Sequence, residues 1–178
     1  MTAVRQINEQ FQAAAEVVTT GRDNDESATT AANRPLRVLI VDDNPDLAYM
    51  MSALVQKCGH EVQTAGDGPT ALQTAAAFHP DVAFVDIALP QMDGFDLARE
   101  LRRSSGVNDS LLIAVTGYAD TAHHTLGMQA GFDHYVAKPV AFLTLSELLL
   151  LARNRLVRLV ERAVTVNKAS EAVKARAS

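Results

Sequence analysis

Apolar residues in this chain follow two alternating patterns. Leu36-Arg37-Val38-Leu39-Ile40-Val41, Val82-Ala83-Phe84-Val85-Asp86 and Leu111-Leu112-Ile113-Ala114-Val115-Thr116 are short, nearly unbroken apolar runs. Their content of β-branched residues predicts strands buried on both faces. Glu61-Val62-Gln63-Thr64-Ala65 predicts a weaker second strand, and His134-Tyr135-Val136-Ala137 a short fifth. Between these runs the apolar residues recur at helical spacing. Leu47, Met50, Met51, Leu54 and Val55 follow Asn44-Pro45, a helix cap with proline in the first turn, and stop at Gly59. Ala71, Leu72, Ala75, Ala76 and Phe78 lie between Asp67-Gly68-Pro69 and Pro80, and Phe95, Leu97, Ala98 and Leu101 mark a third helix. A fourth spans Asp120 to Gly131, weakened by Thr121, Thr125 and Gly127. A last one starts near Ala141 and continues well past Leu150.

Strand and helix thus alternate five times. That order predicts an α/β fold with a doubly wound, five-stranded parallel sheet covered on both faces. In such folds the functional site lies at the carboxyl ends of the strands. The rule collects Asp42 and Asp43 after the first strand, Asp86 after the third, Thr116 after the fourth and Lys138 after the fifth.

The two ends of the chain differ from this middle. Val4, Ile7, Phe11, Ala14 and Val18 predict a short helix, and Gly21 to Asn33 reads as a flexible linker. Beyond the fold, Phe142, Leu145, Leu149, Ala152, Leu156, Leu159, Ala163 and Val166 form a heptad-like seam flanked by Arg153, Arg155, Arg158 and Arg162. This seam predicts a dimerisation or docking arm; the plainer alternative is one long helix folding back on its own domain. Asn167 to Ser178 is expected to fray. The expected divisions are residues 1–34, a domain over 35–152, and a basic helical extension over 153–178.

Charge follows the same divisions. The net charge is −5. Residues 35–152 hold 6 basic and 14 acidic residues, whereas residues 153–178 hold 7 basic and 2 acidic. The acidic middle suits a divalent cation and the basic tail an anionic partner. Nucleic-acid binding is not expected, because the tail has no aromatic residue after Phe142 and no helix-turn-helix pattern. Cys58 is the single cysteine, so no intrachain disulfide forms, which fits a reducing compartment. The first ten residues hold no apolar run of the signal-peptide kind, and Leu148 to Ala152, among the longest apolar runs, is far short of a membrane span. A cytoplasmic protein with no membrane attachment is the expectation.

Three carboxylates meeting at one sheet edge repel one another. A hard cation resolves this, and Mg²⁺ takes oxygen ligands, keeps several waters and bridges protein carboxylates to phosphate. Asp42, Asp43 and Asp86 are therefore a candidate Mg²⁺ cradle. With cationic company Asp86 stays ionised and becomes a nucleophile toward a phosphoryl group. The Lys138 ammonium and the Thr116 hydroxyl are then placed for the equatorial oxygens. Taken one at a time, these residues are ordinary helix caps, turns and strand exits.

Four segments together carry a resemblance. They are Val41-Asp42-Asp43-Asn44, Val85-Asp86-Ile87-Ala88-Leu89-Pro90-Gln91-Met92-Asp93-Gly94, Val115-Thr116-Gly117 and Tyr135-Val136-Ala137-Lys138-Pro139. In this order and spacing, residues 36–152 resemble the flavodoxin-like receiver domain of two-component response regulators, in wording most similar to receivers fused to hybrid sensor kinases. The resemblance implies that Asp86 is the phospho-acceptor, that Asp43 binds Mg²⁺ directly and that Asp42 holds metal-bound water. It further implies that the Ala88 carbonyl completes the protein ligands and that Lys138, before a cis proline bond, binds the phosphoryl group. Thr116 and Tyr135 would be the coupled switch pair. The implied partners are a sensor histidine kinase or a histidine phosphotransfer protein, with a possible homodimer through the last helix and tail. Ala88 offers no side chain to the attacking water, and Tyr118 could partly cover the site; both would bear on phosphate lifetime.

The implied role is a stand-alone signalling module rather than an enzyme, with output through altered protein–protein interaction. Two other readings remain. A phosphatase of the haloacid-dehalogenase kind also uses an aspartyl nucleophile, but wants a second carboxylate where this chain has Ala88. An adaptor would present the tail regardless of phosphorylation.

Overall fold

A computed structural model describes residues 34–117 and 121–176. The expected N-terminal helix, the linker over residues 21–33 and Tyr118 lie outside the described residues. The elements run β1 (Arg37–Val41), α1 (Pro45–Lys57), β2 (Glu61–Ala65), α2 (Gly68–Phe78), β3 (Val82–Asp86), α3 (Gly94–Arg103), β4 (Leu111–Thr116), α4 (Thr121–Ala130), β5 (His134–Ala137) and α5 (Phe142–Arg176). The described residues divide into two compact units, one over Pro35–Leu149 and one holding Arg34 and the chain from Leu150 onward.

The five strands form one parallel sheet in the order β2-β1-β3-β4-β5. This order explains the uneven apolar signal along the sequence. The inner strands β3 and β4 are buried throughout, whereas the edge strands β2 and β5 carry exposed positions. Side chains alternate between the two faces of a strand. Leu39, Val41, Ala83, Val85, Leu112 and Ala114 share one face, in a core with Ala71 and Ala75 of α2 and Leu97 and Leu101 of α3. Val38, Ile40, Phe84 and Ile113, offset by one residue, are buried on the other face.

Helix ends are set by local chemistry. The Asn44 side chain accepts from the backbone N–H of Asp46 and Leu47 at 3.0 and 3.3 Å. Asp67 and Asp93 cap α2 and α3 in the same way, accepting from Thr70 N and Asp96 N. At the end of α2 the turn begins one residue before Pro80, where His79 takes a left-handed conformation with φ 48°.

One feature departs from expectation and another adds to it. The stretch expected to fray from Asn167 is helical through Arg176. No glycine or proline interrupts residues 142–178, and alanine, lysine and glutamate favour the helix. Arg102, in the last turn of α3, is in addition a structural clamp. It donates from Nε to Gly131 O at 2.9 Å and from Nη1 to Asn108 O and Ser110 O at 2.8 and 2.7 Å. Its Nη2 reaches Asp133 Oδ2 at 2.6 Å, and that oxygen also accepts from Leu112 N at 2.8 Å. The clamp ties α3 to the starts of β4 and β5. These strands fix the placement of Thr116 and Lys138.

Candidate functional site

Sheet register builds the site. Val41 pairs with Val85, so the next residues, Asp42 and Asp86, emerge side by side at the carboxyl edge. Asp86 pairs with Val115 and Thr116 with Ala137, which places Thr116 and Lys138 one step beyond on their own strands. Lys138 N donates to Thr116 O at 2.8 Å and holds the turn after β5 against β4. The Lys138-Pro139 peptide is cis.

Asp42 and Asp86 are buried and Asp43 is exposed, and one carboxylate oxygen from each lies within 4.8 Å of the others. Lys138 Nζ donates to Asp42 Oδ2 at 2.7 Å and to Asp86 Oδ2 at 2.8 Å. Burial alone would lower the affinity of this ammonium for its proton. The hydrogen bonds and charges of Asp42 and Asp86 outweigh it and raise the pKa above the ordinary lysine value. The remaining oxygens of the two buried aspartates are also oriented: Asp42 Oδ1 accepts from Asn44 N at 3.0 Å and Asp86 Oδ1 from Ala88 N at 3.1 Å.

The loop from β3 to α3 is held by close approach. Ile87 N donates to Val115 O at 3.3 Å and Gly94 N to Ile87 O at 2.9 Å. A β-carbon on Gly94 would lie 2.5 Å from Asp86 O and 2.7 Å from Ile87 Cα, so only glycine lets the start of α3 pack on the backbone of Asp86. The sequence suggests a turn and cap at Asp93-Gly94, which the structure shows; the contact with Asp86 has no local signal.

Asp42, Asp43, Asp86, Thr116, Lys138 and the backbone of Ala88 are therefore gathered at one edge. Tyr135 lies one step away. It pairs with Ala114, two residues before Thr116, and so shares that residue's face of the sheet. Its ring packs edge-on against Phe132 with centroids 5.9 Å apart, and burial raises the phenol pKa above its ordinary value.

The donor set fits a hard divalent cation. It offers carboxylate oxygens without sulfur or imidazole, close enough to share one ion, beside a lysine already neutralising the same charges.

The family model for the response regulator receiver domain matches residues 38–150. The DNA-binding response regulator MtrA of Mycolicibacterium smegmatis is 39% identical over 103 residues, which cover 58% of this chain and 44% of the relative. The chain thus spans less than half the length of that relative. Among solved structures, the chemotaxis response regulator CheY4 of Vibrio cholerae is 30% identical with a TM-score of 0.63, covering 66% of this chain and 98% of its own. The receiver domain of the sensor histidine kinase PA1611 from Pseudomonas aeruginosa, with magnesium coordinated in its active-site cleft, is 28% identical with a TM-score of 0.60. It covers 68% of this chain and 98% of its own. Among the described residues no helix is long and apolar enough to cross a membrane. An acidic edge closed by one lysine, on a five-stranded parallel sheet matched by the family model, makes this chain a member of the response regulator receiver domains of two-component signalling.

Proposed function

We propose that Asp86 accepts a phosphoryl group from a phosphohistidine of a sensor kinase or a histidine phosphotransfer protein. The observation that carries this is the shared contact of Lys138 with Asp42 and Asp86 at the sheet edge. An Asp86 carboxylate oxygen attacks phosphorus, the bond from phosphorus to the donor imidazole nitrogen breaks, and the imidazole keeps the electron pair. An aspartyl phosphate forms on Asp86. Lys138, held charged by its two carboxylate partners, supplies a cation for one phosphoryl oxygen. The Thr116 hydroxyl at the end of β4 donates to another. Ala88 N, already on Asp86 Oδ1, orients the carboxylate.

Asp42, Asp43, Asp86 and the Ala88 carbonyl would hold Mg²⁺. When bound, the ion offsets the charge of the carboxylates and the phosphoryl oxygens. The same site limits later hydrolysis to what a water can do unaided by residue 88, whose alanine carries no acid or base. This favours a signalling module over a phosphatase. Signal output then runs through Thr116 and Tyr135 on one face of the sheet, changing which protein the domain binds.

The experiment is mass spectrometry after incubation with acetyl phosphate and Mg²⁺. Wild-type protein should gain one phosphoryl group, and Asp86→Ala none. An unmodified wild type, or equal modification of the variant, defeats the assignment. The name of the MtrA relative includes DNA binding, and α5 is basic at Arg155, Arg158 and Arg162. Salt-sensitive duplex binding that rises on phosphorylation would replace the protein-partner output with a nucleic-acid one.

A further inference from the structure

Helix α4 carries a glycine where helix propensity argues against one. Gly127 is buried inside the element, and glycine in a helix interior is less favourable than alanine. The reason lies on β5. A β-carbon on Gly127 would fall on the Tyr135 hydroxyl and into its ring, and would lie 3.1 Å from Phe95 Cε1. The ring of Tyr135 therefore reaches the backbone of α4, into space that any other residue at 127 would fill. Phe132 joins the three elements: its ring is edge-on to Phe95, centroids 6.3 Å apart, and to Tyr135 at 5.9 Å. Gly127 O accepts from both Gly131 N and Phe132 N at 3.0 Å, so the residue that seats the tyrosine also ends the helix and anchors the backbone of Phe132.

We propose that Gly127 is a positioning residue, the seat that admits the Tyr135 ring beneath α4 and couples the ring to the placement of that helix. With the ring in its seat, α4 rests on an aromatic row from α3 to β5. A side chain at 127 forces one of two responses: the ring is expelled, or α4 is lifted from the sheet. In its consequence for signalling this deepens the reading of Thr116 and Tyr135 as the switch pair, because a ring that cannot be seated cannot report the state of Thr116.

The test uses the full chain with Gly127→Ala, Tyr135→Ala and the double variant. Alanine should raise the unfolding midpoint in the Tyr135→Ala background, following ordinary helix propensity, and lower it in the wild-type background. The same sign in both backgrounds overturns the seat. Fluorine NMR on fluorotyrosine-labelled protein gives a second readout, with the Tyr135 signal identified by its loss in Tyr135→Phe. Gly127→Ala should move that signal toward free fluorotyrosine and increase its solvent isotope shift; an unmoved signal in a folded variant overturns the seat. Acetyl phosphate and Mg²⁺ added to labelled wild type test the switch separately. A Tyr135 signal that stays in place while the sign reversal holds leaves the seat standing and removes the switch reading.

Discussion

Replacing Lys138 by methionine removes a charge that bonds two buried carboxylates at once. The lysine side chain is 22% exposed, that of Asp42 3% and that of Asp86 8%, so both acceptors lie in a poorly solvated place. Breaking a buried ion pair from one side costs about 3–5 kcal/mol, because the partner stays charged without compensation. Two acceptors are stranded here, and they also repel each other. Against this, water reaches the lysine end of the pair and weakens the loss. The expected destabilisation in Mg²⁺-free buffer at neutral pH is about 2–4 kcal/mol, which at a urea slope near 1.5 kcal/mol/M lowers the midpoint by roughly 1–3 M. Saturating Mg²⁺ should narrow the gap, since a cation at the carboxylates replaces the missing charge. Adding Asp42→Asn to Lys138→Met should also narrow it by removing one stranded charge. A loss below about 0.5 kcal/mol, or a gap indifferent to both Mg²⁺ and Asp42→Asn, would refute the reasoning. The pH dependence has a definite sign. The folded pKa of Lys138 is raised, so its contribution is fully present below the ordinary lysine value and is lost as pH rises through the folded one.

Gly94→Ala should force apart the start of α3 and the backbone of Asp86; overpacking of this kind costs about 1–3 kcal/mol. Phosphorylation from acetyl phosphate should slow at least tenfold, and an unchanged rate would show that Asp86 tolerates the shift. Arg102→Ala should lower stability by about 3 kcal/mol by taking the guanidinium from Asp133 and a donor from each of three carbonyls, measured by urea unfolding, with any function lost only as far as the fold is lost. Tyr135 should ionise above the ordinary phenol value, visible as the late component of an ultraviolet titration that disappears in Tyr135→Phe. Asp67→Ala should remove the cap of α2, and in wild-type protein the cap contribution should fade as pH falls through the lowered pKa of Asp67.

The chain itself determined that there would be a parallel sheet and which polar residues would gather at its carboxyl edge. Nearly unbroken apolar runs are stable only when buried on both faces, as β3 and β4 are, and each run that ends in a polar residue marks the rim. Asp42, Asp86, Thr116 and Lys138 were legible for that reason, as were the caps at Asn44 and Asp67, whose signals span only a few residues. The length of the last helix was less legible, since the absence of breakers outweighed the expected fraying. Tertiary structure alone decided the rest. Lys138 and Asp86 are 52 residues apart, and only the register across β3, β4 and β5 brings Nζ to 2.8 Å from the carboxylate. Gly94 and Gly127 look locally like a turn glycine and a weak spot in a helix. Their necessity comes from Asp86 and Tyr135 arriving from other elements to occupy the space of a missing β-carbon. Arg102 looks like a helix-ending charge until the starts of β4 and β5 converge on it. Periodicity reports burial along one element; it holds no information on distances between elements, which packing and register fix together.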